Sequence, residues 1–352
     1  MKAILLAGGQ GSRLRPLTLN TPKPIVPIFD RPFLRYQIEL LRQVPEIDEI
    51  VLSLNYQPRR IEEVFADGAD LGVHIRYVVE PQPLGTGGAI KFAAGPNPVG
   101  PVVVFNGDVL TSVDLPAVLE LHRSRQARAT IVLTPVDNPT AYGLVETDAQ
   151  GNIRRFLEKP EPEEITCNTI NAGIYVLEGE TLDRIPPDTM FSIERGYFPT
   201  LIERRETFVA YTYGGYWIDI GTREKYQQVH HDIMHGRFSA PPFDGRAGQA
   251  VISPDAKVDP AAIIEGPCFI DAGVVVKAGA RIGAGAVIGA HCTIGEQAVI
   301  DGAILWPHTW VDASATLGPL VAGRHCQFGR HVEVRGDALL GDKSIVTDFS
   351  RV

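Results

Sequence analysis

Residues 5–18 read LLAGGQGSRLRPLT, and side chains of these types at this spacing are suited to holding phosphates. Gly8, Gly9 and Gly11 carry no Cβ, so their N–H groups can turn toward a polyphosphate at little steric cost. Arg13 and Arg15 add positive charge, and Lys23 follows inside PKP, residues 22–24. A dinucleotide fingerprint requires a third glycine at position 14, which is Leu14, and no Gly-Lys-Ser/Thr follows as a P-loop demands. Two cations converging on a triphosphate fit the spacing better. A solvated arginine on an ordinary strand-turn-helix is the competing arrangement.

Such a loop needs rigid elements beneath it. Apolar runs at 3–7, 50–54, 102–106 and 130–134 read as strands, and amphipathic stretches at 33–43 and 115–125 as helices, the second opened by Asp114 as N-cap. Alternation of this kind implies a mainly parallel sheet with helices on both faces. Ligands of such sheets bind beyond the carboxyl ends of the strands. The glycine loop follows one such end, and Asp108 follows another.

After residue 236 the grammar changes. A Pro/Gly-rich linker at 238–249 leads into a run in which Ile252, Val258, Ile264, Ile270, Val276, Ile282, Ile288, Ile294 and Ile300 recur every six residues. Ala256, Ala262, Cys268, Val274, Ala280, Ala286, Cys292 and Ala298 hold the small position between them. No helix has a period of six; three short strands per turn of a parallel β-solenoid do, with the aliphatic inward and the small residue at the corner. The phase slips by one after Ile300, continues at Leu305, Val311 and Leu317, and resumes at Phe328, Val334, Leu340 and Val346. Cys268, Cys292 and Cys326 fall at the small inward position, which makes them packing residues before reactive ones.

Composition excludes several classes of partner. The chain has 352 residues, enough for two domains, and its 44% hydrophobic and 21% charged residues are those of an ordinary globular protein. A net charge of -9 argues against a nucleic-acid or anionic-membrane surface as partner, so an anionic substrate must be met by local cations. The apolar run before Gly8 is too short for a signal sequence, and no stretch has the length of a membrane span. Four cysteines without a CxxC pair or zinc spacing suggest free thiols and a cytoplasmic location.

Eight motifs stand in order: GGQGSRLRPLT, PKP, EPQPLGTGGAI (80–90), NGDVL (106–110), YGLVE (142–146), EKP (158–160), NAGIYVL (171–177) and WIDIGT (217–222). Together they resemble the sugar-nucleotide pyrophosphorylases, nucleotidyltransferases that join a nucleoside triphosphate to a sugar 1-phosphate, and the hexapeptide repeat resembles the left-handed β-helix appended to some branches. The resemblance implies a Rossmann-like nucleotidyltransferase domain at 1–236, a linker at 237–250 and a left-handed β-helix at 251–352. The reaction it implies is displacement at the α-phosphorus by a phosphate oxygen already anionic near neutral pH, so catalysis is alignment and charge neutralisation.

The same resemblance assigns roles. Magnesium is implied, held by Asp108 and Asp219 with phosphate oxygens and water; Asp219 lies between Ile218 and Ile220, an odd place for an acid without a cation or strong hydrogen bonds. Arg13 and Lys23 are implied at the departing phosphates and Lys159 at the sugar phosphate. Nucleotide contacts are expected from Leu6, Ala7, Gly8, Gly9, Gly11, Ser12, Glu80, Gly85, Thr86, Gly87 and Asp108, and sugar contacts from Gly143, Glu158 and Asn171. Glu80 stands where thymidylyl-transferring relatives have glutamine. A carboxylate offers acceptors only, which complements the adjacent N–H donors of guanine and repels the carbonyls of thymine or uracil. GTP is the expected nucleotide, unless Glu80 turns outward as a loop acid.

Mannose 1-phosphate is the expected acceptor, since the chain is most similar to the guanylyl-transferring, mannose-using branch. A glucose-1-phosphate thymidylyl-, uridylyl- or adenylyltransferase is the runner-up, followed by a heptose-1-phosphate guanylyltransferase. An acyltransferase activity based on His291, His308, His325 or His331 and a noncatalytic regulatory role are further alternatives. The solenoid is expected to assemble the chain into a dimer or tetramer.

Overall fold

A computed structural model describes residues 1–336 and 338–352. Contacts divide the chain into two compact units, Met1–Gln10 with Leu34–Asp219, and Gly11–Phe33 with Ile220–Val352. Each unit is thus discontinuous in the chain, for reasons that appear in the second unit.

The first unit is built on a nine-stranded sheet. Seven strands run in the order Ile153–Glu158, Gly143–Thr147, Thr169–Glu178, Pro101–Asn106, Lys2–Leu6, Glu49–Leu54 and Ile75–Val79. Ala129–Pro135 pairs with Thr169–Glu178, and Phe208–Thr212 with Ala129–Pro135. The four strands from Pro101–Asn106 to Ile75–Val79 are mutually parallel, as the alternating pattern predicts. The other limb departs from a parallel sheet: Thr169–Glu178 runs antiparallel to each of its neighbours. Gly143–Thr147 in turn pairs antiparallel with both Ile153–Glu158 and Thr169–Glu178, so the strands of this part of the sheet alternate in direction.

The expected elements appear with small shifts at their ends. The helices are Phe33–Leu41 and Leu115–Ser124, and Asp114 caps the latter by accepting from the Ala117 amide at 3.0 Å. Leu6 lies in register with Asn106 and with Ser53. The glycine loop, the Gly107–Asp108 turn and the residues after Ser53 therefore leave neighbouring strands at one edge. Among the described residues no helix is long and apolar enough to cross a membrane.

The second unit contains the solenoid as three stacked parallel sheets of six, six and five strands, the β-helix that the repeat predicts. Ile270 pairs with Ile288, Ile288 with Leu305, and Leu305 with Ala322. The second five-residue step, from Leu317 to Ala322, is a correction to the sequence pattern, because alanine does not stand out among aliphatics. Cys268, Cys292 and Cys326 are fully buried in this core, where burial pushes the Cys292 thiol up to about 12. His291, His308 and His325 instead stack at one exposed corner, ring centroids 5.2 and 4.8 Å apart.

One outward row of the solenoid is apolar and covered: Phe269, Val287, Ile304 and Val321 are all buried. The helix Arg223–Met234, the segment Gly11–Phe33 and the linker belong to the same unit. Phe29 joins them, with ring centroids 4.9 Å from His230, 5.1 Å from Phe243 and 5.4 Å from Phe269. Phe238, Ala240 and Phe243 are buried, so the Pro/Gly-rich linker is packed chain, not a free tether.

His230 sets the pH response of this cluster. Its Nδ1 lies 2.8 Å from the Tyr226 carbonyl and its Nε2 accepts from the Phe29 amide at 3.3 Å, which fixes the neutral tautomer with the proton on Nδ1. Burial holds its pKa down to about 4, from an ordinary 6.5. The unfolded chain therefore takes up a proton between pH 6.5 and 4 that the folded one refuses, and stability falls as pH falls through that window. Denaturant titrations at pH 7 and pH 4 are expected to show a loss on the order of 3 kcal/mol from this residue, and His230→Leu should reduce the pH dependence by that amount. An unchanged pH dependence in the variant would contradict the assignment.

Candidate active site

Two groups of side chains gather, one in each unit. In the first unit the acids come together across a two-stranded ladder, Val109–Thr111 against Trp217–Asp219. Asp219 is in register with Val109, the neighbour of Asp108, so both carboxylates sit at the same end of the ladder. Gly107 is needed just before: its amide donates to the Leu6 carbonyl at 2.9 Å, and a Cβ there would collide with that carbonyl. The Tyr142 hydroxyl donates to Asp219 Oδ1 at 3.0 Å. Gln37, buried beneath the turn, donates through Nε2 to the carbonyls of Asn106 at 2.8 Å and Val109 at 2.6 Å.

Glu80 is 9% exposed and turned inward. It accepts from Ser53 Oγ and from the Leu84 amide, both at 3.0 Å, and a Cβ on Gly8 would lie 3.4 Å from its Oε1. The outward arrangement of a loop acid is thus not the one adopted. Each of its oxygens keeps a further lone pair. Ala7 donates to the Ser53 carbonyl at 2.9 Å, while Gly9 is exposed.

The GTGG segment has employment inside the fold. Thr86 Oγ1 donates to Glu194 at 2.7 Å and accepts from the Ile193 amide at 3.0 Å, and the Gly87 amide donates to the Phe191 carbonyl at 2.8 Å. These groups, expected at the nucleotide, hold the segment around Phe191 against the start of the helix Gly85–Ala94.

The residues expected at the sugar do meet. Glu158 pairs with Gly143 across the hairpin, and a Cβ on Gly143 would fall 2.9 Å from Glu158 Oε2. The Lys159 amide donates to the Tyr142 carbonyl at 3.1 Å. Its side chain is exposed and forms no ion pair among the described residues. Asn171 lies one residue beyond the Ile170–Leu144 pairing; its Nδ2 donates to Tyr175 Oη and its Oδ1 accepts from the Gly173 amide, each at 2.8 Å. Burial, and then the charge of Glu194, push the Glu158 pKa up against the opposing pull of Lys159 and Arg195.

In the second unit, Gly11 takes the left-handed backbone conformation, φ 60°, and its place for a Cβ lies 3.1 Å from both Lys23 Cβ and Thr18 Cγ2. The Thr18 hydroxyl closes the turn onto the Gly11 carbonyl at 2.8 Å. Ser12 and Arg13 are exposed, and Lys23 is buried. The Arg13 guanidinium rests on Gly221, where a Cβ would come within 2.5 Å of Nη2, and it pairs with no carboxylate among the described residues.

Four contributors escaped the sequence pattern. Tyr142 stands inside a quoted motif without a role, and Ser53 is the one polar residue among the buried positions of its strand. Gln37 and Glu194 gave no signal, because only tertiary contact brings them to the site. Two carboxylates thus come to one end of the ladder, and among the described residues no group of three or more ligating side chains gathers.

Residues 2–236 match the family described as Nucleotidyl transferase, and residues 263–352 match the GMPPB C-terminal domain. A mannose-1-phosphate guanylyltransferase of Mycobacterium tuberculosis is 39% identical over 257 residues, 73% of this chain and 71% of the relative. The mannose-1-phosphate guanylyltransferase catalytic subunit beta of Drosophila pseudoobscura is 36% identical over 358 residues, 99% of this chain and 90% of its own. Among solved structures, HddC from Yersinia pseudotuberculosis complexed with GMP-PN is similar, with 29% identity and a TM-score of 0.56 over 66% of this chain and 99% of that one.

The raised pKa of Glu158 yields a test with a definite sign. An acid whose folded pKa lies above its unfolded one costs stability once ionised, and the cost disappears below the unfolded value. Glu158→Gln is expected to melt at a higher temperature than the parent chain at pH 7 and at the same temperature at pH 3.5. A variant less stable at pH 7 would contradict the assigned environment.

Proposed function

The chain belongs to the nucleotidyl transferase family, and from that premise we propose that it transfers a guanylyl group from GTP to mannose 1-phosphate, releasing pyrophosphate and forming GDP-mannose. The observation that carries this reading is the pair Asp108 and Asp219, set at one end of a ladder and steadied by Gln37 and Tyr142. Magnesium is the ion we assign to them, and when bound it neutralises phosphate charge. The relatives' names and the nucleotide analogue bound to the Yersinia protein support the choice of substrates.

The chemistry follows from charge. A phosphate oxygen of the sugar 1-phosphate attacks the α-phosphorus of GTP; its bond to phosphorus forms as the bond to the pyrophosphate oxygen breaks. The nucleophile is already an anion, so no general base is needed. Arg13 and Lys23 take the charge that accumulates on the departing β- and γ-phosphates, and Lys159 fixes the phosphate of the incoming sugar. Glu80 offers its remaining lone pairs to N1–H and N2–H₂ of guanine. An unpaired buried acceptor costs on the order of 1–3 kcal/mol, so a base without those donors is disfavoured. Gly143, Glu158 and Asn171 supply polar groups for the hexose hydroxyls.

Assembly into a dimer or tetramer through the β-helix belongs to the same reading. It is supported by Trp310 and Ile345, exposed apolar side chains on one face of the solenoid. Free thiols and the use of a nucleoside triphosphate favour the cytoplasm as the compartment.

The direct experiment is pyrophosphate release with magnesium for four nucleoside triphosphates against mannose, glucose and N-acetylglucosamine 1-phosphates. GTP with mannose 1-phosphate is expected to turn over best. Best turnover with dTTP or UTP would overturn the role of Glu80, and none in any combination would overturn the activity. Lys159→Ala is expected to raise KM for the sugar 1-phosphate tenfold or more, by the loss of about 1.5–3 kcal/mol for a hydrogen bond to a charged group, with KM for the nucleotide little changed. The reverse pattern would refute its role.

A further inference from the structure

We infer that Trp306 of the β-helix and Tyr226 of the helix Arg223–Met234 are positioning residues for the phosphate clamp, acting through a hydrogen-bond relay onto the segment that carries Arg13 and Lys23; the inference rests on the function proposed above. The relay lies entirely within the second unit. Trp306 is buried, 1% exposed, and its Nε1 donates to Tyr226 Oη at 3.0 Å. The Tyr226 hydroxyl, equally buried, donates its own hydrogen bond to the carbonyl of Pro27. The tyrosine hydroxyl thus accepts from the solenoid and donates to the segment at once.

Two further contacts tie the same segment down. His230 accepts from the Phe29 amide at 3.3 Å, and Phe29 packs on Phe269 of the solenoid. Nearer the clamp, the Cβ position of Gly341, in the last part of the solenoid, lies 3.0 Å from Pro16 Cβ. Pro16 is three residues from Arg13, and Pro27 four from Lys23. Lys23 thus lies between two anchor points on the solenoid side of the unit, and Arg13 three residues before the first of them. Hydrogen-bonded buried polar chains hold one arrangement and penalise others, and a displacement of about 1 Å in a positioning group can cost a hundredfold in rate. The solenoid therefore does work at the triphosphate in addition to any part in assembly.

The relay predicts a selective defect. Tyr226→Phe removes the hydroxyl and keeps the ring, and Gly341→Ala presses a methyl group on Pro16 without touching the relay. Each is expected to raise KM for GTP, and KM for pyrophosphate in the reverse direction, about fivefold, the equivalent of one hydrogen bond. KM for mannose 1-phosphate should stay unchanged, because the sugar residues belong to the other unit. Ile294→Ala, a cavity in the solenoid core away from the segment, serves as control. It should lower the melting temperature and leave both KM values alone when assayed well below the transition. Hydrogen exchange supplies a readout independent of turnover: amides of residues 11–33 should exchange faster in Tyr226→Phe than in the parent chain, and no faster in Ile294→Ala.

Unchanged nucleotide KM values and unchanged exchange in Tyr226→Phe and Gly341→Ala would overturn the inference. So would an equal rise of both substrates' KM values, or the same defect in Ile294→Ala. A parent chain without turnover would overturn the proposed function instead, and the exchange comparison would still decide the relay.

Discussion

A chain of net charge -9 that must gather two phosphorylated substrates has to present a few cations at short range, and much of the local structure follows from that constraint. Long-range attraction is absent, so each positive charge must be delivered within contact distance by backbone geometry. Arg13 stands exposed with no carboxylate partner among the described residues, resting on Gly221, and Lys159 is exposed on backbone in the left-handed conformation, φ 56°. The acids are treated in the opposite way. Asp108 sits on a turn pinned from below by Gln37, Asp219 accepts from Tyr142, and Glu80 is clasped by Ser53 and the Leu84 amide. Arg13 and Lys159 exposed and the acids held is the arrangement expected where a divalent ion and anionic phosphates complete the charge balance.

The same constraint gives the solenoid a reason to be attached. A glycine loop is mobile unless something fixes it, and Gly11–Phe33 has only short helical turns and one two-residue hairpin of its own. Its order comes from Phe29 among His230, Phe243 and Phe269, and from the Pro27 carbonyl on Tyr226. A β-helix is stiff because every rung is hydrogen-bonded to the next over a close-packed interior, here one that includes three buried thiols.

Periodicity is what made so much legible in advance. The six-residue recurrence needs no tertiary knowledge, three of the four parallel strands carry conspicuous apolar runs while Ile75–Val79 is broken by Arg76, and Asp114 before Leu115 is a local signal of helix start. Asp108 and Asp219 were visible through their apolar surroundings and their motifs. What stayed hidden is tertiary. The orientation of Glu80 depends on Ser53, 27 residues away; Thr86 spends its hydroxyl on Glu194, 108 residues away; and Phe29 meets His230 over a separation of 201. The unit boundary was hidden for the same reason, since it cuts through motifs that are continuous in the chain. Ala322 escaped because an alanine at an inward position looks like a corner residue until its neighbour Leu305 is seen in register with it.

The most direct test of a metal-charged acid pair working with cations at short range is the magnesium dependence of pyrophosphate release in Asp108→Asn and Asp219→Asn, measured with saturating GTP and mannose 1-phosphate. Loss of one ligand from a two-carboxylate site should lower the rate by about a hundredfold or more and displace the magnesium requirement upward, with the melting temperature close to that of the parent chain. Parent-like rates at parent-like magnesium concentrations in either variant would contradict the account.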